Sequence, residues 1–299
     1  MSSPRATPSQ DRAQVLDTAG FARVSLIAER EAGLTIPTAK QAMVQSRLSR
    51  RLAATGMTDF ASYLSYVEGR DGVEERANMI SALTTNVSSF FRENHHFETL
   101  REKILPGLAE RARAGGRIRL WSAGCSSGQE PYSIAMCVLE VIRDAARLDV
   151  RILATDIDRA ILAQAKTGTY DERQMSGVPK DLRDKHFNEA SAKGHASWTA
   201  NDGLRSIVTF RQLNLIEPWP MSAQFDVVFC RNVVIYFSEE TQMTLWPRFA
   251  KVMPKDAWFF LGHSERIQSI AAPLFETRGV TSYQRSSASA ERLSQPERT

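Results

Sequence analysis

From Arg117 to about Ser286 the chain alternates short apolar, β-branched runs with helical stretches, and this rhythm limits the possible folds more than any other feature. RIRLWSAG reads as a strand entering a glycine turn, and EPYSIAMCVLEVIRDAARL as the helix that follows. VRILATDID and RAILAQAKTG repeat the pair. SIVTFRQLN, FDVVFCRNVVIYF, a helix from about Glu239 to Val252, and AWFFLGHSE continue it. FETRGVTSYQRS closes the series as a hairpin with Gly279 near its tip. Strands separated by helices predict a mostly parallel sheet covered on both faces, and such sheets bind ligands at the carboxyl ends of their strands.

Two segments depart from the rhythm. From about Gly20 to Leu108 only helical periods are visible, in FARVSLIAERE, AKQAMVQSRLSRRLAAT, TDFASYLSYVEG, EERANMISALTTN and ENHHFETLREKIL, with Gly56 and Gly72 as stops. This predicts an all-α domain over 20–108, ahead of an α/β domain over 109–285. Residues from about 170 to 205 are polar and irregular, too long for a plain connection, and predict a small inserted subdomain or a lid. The ends, 1–19 and 286–299, are poor in apolar residues and read as disordered tails.

Apolar residues make up 42% of the 299 and charged residues 24%, as in a soluble globular protein. No run approaches the ~20 apolar residues of a membrane span. Cys125, Cys137 and Cys230 are too few and scattered for a disulfide framework, so the cytoplasm is the expected compartment. The net charge of +4 permits nucleic acid without arguing for it, and of the interleaved aromatic and basic surface that such a binder needs only a short basic helix is on offer. Residues 38–52 hold Lys40, Arg47, Arg50 and Arg51 and no acid. At helical spacing Lys40, Arg47 and Arg51 form a stripe beside Val44, Leu48 and Leu52, either a solvated face or a docking face for an acidic partner.

The first glycine turn, WSAGCSSGQEPYSIAM, lacks the lysine of a P-loop and the third glycine of a dinucleotide turn, so it is not built around phosphate. Pro131 suits a first helical turn, and Glu130 either complements the helix dipole or grips a cationic group. The second strand ends at Asp156, where a carboxylate can accept both hydroxyls of a ribose. A phosphate-free turn, a ribose acid and a carboxylate for an ammonium together describe S-adenosylmethionine.

NVSSFFRENHHF, WSAGCSSGQEPYSIAM, ATDID and FDVVFCRNVVIYF, in this order, resemble the CheR family of chemoreceptor methyltransferases over about residues 20 to 285. The resemblance implies a Rossmann-like class I S-adenosylmethionine-dependent methyltransferase domain with a small inserted antiparallel β-subdomain, preceded by an all-α domain. It implies cofactor contacts at Asn86, Ser88, Arg92, Glu130, Asp156, Asn214, Leu215, Arg231 and Asn232, and catalytic roles for Arg92 and Tyr236. Ser88 stands where the family often has Thr, which keeps the hydroxyl, and Gln129 where Glu is common, with Glu130 retained. The implied reaction forms γ-methyl esters on receptor glutamates and releases S-adenosylhomocysteine. The implied partners are the cytoplasmic, Glu-rich methylation helices of chemoreceptors, which the 38–52 face would steer toward, and the expected state is a monomer without membrane insertion. Two other readings are an amide N-methyltransferase, for which Asn232-Val233-Val234-Ile235-Tyr236 lacks the prolines, and a non-catalytic S-adenosylmethionine sensor, against which Arg92 and Tyr236 count.

Overall fold

The computed structural model describes residues 15–192 and 195–287. Most of both expected tails lies outside the described residues, but Leu16 is wholly buried and Thr18 already opens a helix, so order begins earlier than residue 20. The chain forms two compact units that divide between Thr85 and Asn86.

The first unit is helical: α1 (Thr18–Ala32), α2 (Gln41–Thr55), α3 (Phe60–Glu68) and α4 (Val73–Leu83). Polar caps explain the starts, since Asp17 and Asp59 accept the backbone N–H groups of Gly20 and Ser62. Gly33 and Gly56 end α1 and α2 in the left-handed region, the ordinary glycine stop. The predicted apolar stripe of α2 is the buried one: Val44, Leu48 and Leu52 face the unit's interior.

The second unit starts with α5 (His95–Thr99), a π-helical turn (Leu100–Ile104) and α6 (Leu105–Arg113). The expected boundary at residue 108 is therefore misplaced. Phe97, Leu100, Ile104, Leu105 and Ala109 are buried in one cluster with Ile118 and Leu120, so this helical stretch belongs to the α/β unit.

The rest alternates as expected: β1 (Ile118–Ala123), α7 (Gln129–Val141), β2 (Val150–Asp156), α8 (Arg159–Thr167), the insertion, β6 (Val208–Gln212), β7 (Val227–Cys230), α11 (Glu239–Lys251) and β8 (Trp258–Leu261). The hairpin β9 (Phe275–Gly279) and β10 (Ser282–Arg285) completes the main sheet. Its order is β6-β2-β1-β7-β8-β10-β9. The five strands from β6 to β8 pair in parallel, and β10 runs antiparallel to both β8 and β9. The chain winds outward from β1 in both directions, so the carboxyl ends of β1 and β7 flank the point where a ligand crevice forms.

The insertion contains β3 (Thr169–Asp171), α9 (Lys180–His186), β4 (Phe187–Ala192), β5 (His195–Ala200) and α10 (Asp202–Ser206). Its strands form an antiparallel sheet in the order β3-β5-β4, the small subdomain that the irregular stretch predicted. Tyr170 and Phe187 pack edge-on against Phe90, so the insertion shares the core rather than standing off as a lid.

Candidate functional site

The carboxyl edge of the parallel strands gathers most of the residues singled out from the sequence. β1 leaves the sheet through Gly124, whose N–H, like that of Cys125, donates to the Thr155 carbonyl of β2 at 2.8 Å. Gly124 has a φ of 83°, and a Cβ there would lie 2.3 Å from Val233, so only glycine fits between the two loops. Gly128, at φ 94°, ends the turn where α7 begins. Between them Ser126 also takes a left-handed φ of 50°, and its hydroxyl is buried without a hydrogen-bond partner among the described residues.

Asp156, at the end of β2, is nearly buried. Its Oδ2 accepts the Ser126 N–H at 2.8 Å and its Oδ1 the Asp158 N–H at 3.0 Å. Burial pushes the Asp156 carboxyl above its usual range, against the pull of those amides. Two amides use half of a carboxylate's four lone-pair positions, leaving room for two hydroxyl donors. The two free acceptor positions of Asp156, with the Ser126 hydroxyl on the adjoining turn still lacking a partner among the described residues, fit the hydroxyl donors of the ribose of S-adenosylmethionine. Asp158 caps α8 through Ala160 and Ile161 and accepts Asn86 Nδ2 at 3.0 Å, bringing Asn86 to the same edge.

Arg231 and Asn232 follow β7. The guanidinium of Arg231 is buried between Glu130 (3.0 Å) and Glu93 (3.2 Å), donates to the Arg92 carbonyl, and lies over the Phe97 ring at 5.6 Å. Glu130 also accepts the Ser122 hydroxyl at 2.7 Å. The cation that Glu130 holds is thus a residue of the chain itself, one that the sequence reading had not paired with it. Burial raises Glu130 more than Arg231 and Ser122 lower it. For Glu93 burial also acts upward, but the Arg231 charge and the His263 hydrogen bonds outweigh it and hold the carboxyl at about 2. His96 is buried and driven down to about 3 by burial and then by Arg231, so it is neutral at working pH, 3.0 Å from the Thr281 hydroxyl.

Asn214 and Leu215 follow β6. Leu215 is buried, its carbonyl accepting Trp219 Nε1 and Arg248 Nη1. Ser88, Arg92 and Tyr236 are half-buried, and Arg92 Nη1 donates to the Val87 carbonyl at 3.1 Å. Sequence reasoning missed Glu93 and Glu265. Glu265, in GHSE after β8, is buried and accepts backbone N–H groups from the loop that follows β7. The signal was an acid one turn past an apolar strand, at the ligand-binding edge.

In the first unit the basic stripe resolves into two kinds of residue. Arg47 donates to the carbonyls of Leu83 (2.7 Å) and Thr84 (2.9 Å), closing the end of α4. Arg51 holds buried Glu75 through two hydrogen bonds of 2.9 and 2.5 Å, and Tyr63 donates to the same carboxylate at 2.8 Å. Both are engaged inside the unit because carbonyls at a helix end and a buried carboxylate require donors. Lys40 and Arg50 are exposed. Replacing Arg51 with Ala is expected to cost about 2 kcal/mol in urea unfolding, as for hydrogen bonds to a charged group. Arg50→Glu should stay within about 0.5 kcal/mol of the parent, as exposed substitutions do.

A doubly wound sheet with a phosphate-free glycine turn and a strand-end acid is the arrangement of S-adenosylmethionine-binding methyltransferase domains. Residues 86–283 match the CheR methyltransferase SAM binding domain, and residues 19–84 match the CheR methyltransferase all-alpha domain. The chain is 46% identical over 253 residues to a probable chemotaxis protein methyltransferase of Rhizobium etli, covering 85% of this chain and 94% of that one. The chemotaxis protein methyltransferase of Borreliella burgdorferi is 38% identical (83% and 88% covered), and that of Escherichia coli 35% identical (90% and 91%). The chain belongs to the CheR methyltransferase family. No helix among the described residues is long and apolar enough to cross a membrane.

Proposed function

We propose that this protein methylates glutamate side chains of chemoreceptors, forming γ-methyl esters and S-adenosylhomocysteine. The observation that carries the reading is the Asp156–Ser126 edge, with hydrogen-bonding capacity left for a ribose, in a chain whose relatives are named chemotaxis protein methyltransferases. Asp156 would hold the ribose. Asn86, Ser88, Arg92, Glu130, Asn214, Leu215, Arg231 and Asn232 would form the rest of the cofactor site. When bound, S-adenosylmethionine supplies a methyl group made electrophilic by its sulfonium.

The acceptor carboxylate is ionised at neutral pH, so the chain needs no general base and its work is alignment and exclusion of water. Arg92 would orient that carboxylate through a planar fork that a lysine does not reproduce. Tyr236 would donate a hydrogen bond near the transferring methyl. Docking to acidic receptor helices would fall to the exposed Lys40 and Arg50, since Arg47 and Arg51 are engaged internally.

The test is transfer from methyl-labelled S-adenosylmethionine to receptor-containing membranes, counting methanol released by alkali. Base-labile label in a receptor-sized band is the expected result, and Arg92→Lys should reduce it about tenfold, the loss of one oriented hydrogen bond of ~1.4 kcal/mol. Base-stable label would refute the ester. Binding of S-adenosylhomocysteine with no transfer would favour a sensor.

A further inference from the structure

Glu265 is a buried acid at the carboxyl edge of the parallel strands, just beyond β8. It is 2% exposed, and its carboxylate accepts four backbone N–H groups. Oε1 takes those of Val233 (2.8 Å) and Ile235 (3.1 Å), and Oε2 those of Asn232 (2.8 Å) and Gly262 (2.6 Å). Three of the four belong to the loop after β7, which carries Asn232 and leads into Tyr236. That loop is bent: Asn232 has a φ of 58°, in the left-handed region. It is also pressed from both sides. A Cβ on Gly262 would lie 2.7 Å from the Asn232 nitrogen, as one on Gly124 would meet Val233.

A buried carboxylate is costly to desolvate, and no cation forms an ion pair with Glu265 among the described residues. Its compensation is the match in number between four amides and the four lone-pair positions of a carboxylate. Glutamine offers half that capacity, and its NH2 group would face two amides that also donate. The carboxylate therefore fixes the bent course of the loop in a way that neither an amide nor an apolar side chain reproduces.

We propose that Glu265 is a positioning residue for methyl transfer, holding the 232–236 loop so that Asn232 meets the cofactor and Tyr236 the transferring methyl. This rests on the functional reading above.

The experiment compares the full chain with E265Q and E265D in thermal unfolding, S-adenosylhomocysteine binding by calorimetry, and kcat and KM for receptor membranes. In E265Q the Kd for S-adenosylhomocysteine should weaken at least fivefold and kcat fall about tenfold, a loss in the range that misplacement of catalytic groups causes. KM for the membranes should stay within twofold, and E265D should recover part of both losses. A folded E265Q with Kd and kcat within twofold of the parent would overturn the proposal and leave Glu265 a purely structural residue. If E265Q does not fold, E265D decides, because its shorter carboxylate cannot reach all four amides: losses beyond twofold in both Kd and kcat support the proposal, and values within twofold overturn it. If the parent forms no ester, the binding arm still decides the placement of the loop, separately from the failure of the receptor reading.

Discussion

Replacement of Arg231 by methionine should lower the stability of the α/β unit by about 3–5 kcal/mol, the cost of leaving a buried charge without its partner. Methionine keeps most of the side-chain volume, so the loss reports the charge together with its hydrogen bond to the Arg92 carbonyl. The side chain of Arg231 is 2% exposed and lies between Glu93 and Glu130, whose side chains are only 12% and 11% exposed. Without the guanidinium, Ser122 still donates to Glu130 and His263 to Glu93, but two carboxylates then share one apolar neighbourhood. Urea unfolding followed by circular dichroism measures the difference. Adding Glu93→Gln and Glu130→Gln to the same chain should recover part of the loss, since removing a whole buried ionic cluster is far cheaper than removing one member.

The pH dependence gives a second check, with its sign set by Glu93. The folded protein holds this carboxyl at about 2, below its ordinary value of 4.5. Its contribution is therefore present above about pH 4.5 and is lost as pH falls toward 2. The methionine variant lacks the share of that contribution that comes from Arg231, keeping only that of the His263 hydrogen bonds, so the stability gap between the two proteins should narrow through this window. A gap that stays constant from pH 6 to 3 would mean that Glu93 does not draw its low pKa from Arg231.

What the sequence made legible follows from the range over which each signal acts. The alternation of strands and helices, the glycine turn and the strand-end Asp156 are local patterns, and the structure places each where the pattern put it. The small antiparallel sheet was legible as an interruption of the rhythm. The domain boundary was not, because the helices over 95–113 have the same period as those before them. Periodicity shows that a face is buried without showing what buries it, and here the cover includes Ile118 and Leu120 of β1. Charge pairing failed for the same reason. Arg51 meets Glu75 across 24 residues, and Arg231 meets Glu130 across 101. A stripe of cations on a helix looks alike whether it faces solvent or a buried acid, so Lys40 and Arg50 could not be told from Arg47 and Arg51. Glu265 was hidden because its partners are backbone amides, which every residue but proline carries.

Asp156→Ala should weaken S-adenosylhomocysteine binding by about 100- to 10,000-fold, and Asp156→Asn by somewhat less. Each hydrogen bond to a charged acceptor contributes about 1.5–3 kcal/mol, and the two lone-pair positions left by Ser126 and Asp158 would serve two ribose hydroxyls. Asparagine retains one carbonyl oxygen, so it should keep one such bond, though its NH2 group must then face one of the two amides. Calorimetry on chains whose circular dichroism matches the parent separates binding from folding. Burial also raises the carboxyl of Asp156, and only the ionised form can accept both hydroxyls without donating. The affinity of the parent should therefore begin to fall, on acidification, at a pH above the ordinary aspartate range, and the Asn variant should lack that limb. A Kd within threefold of the parent for both variants would remove Asp156 from the cofactor site, and with it the observation on which the functional reading rests.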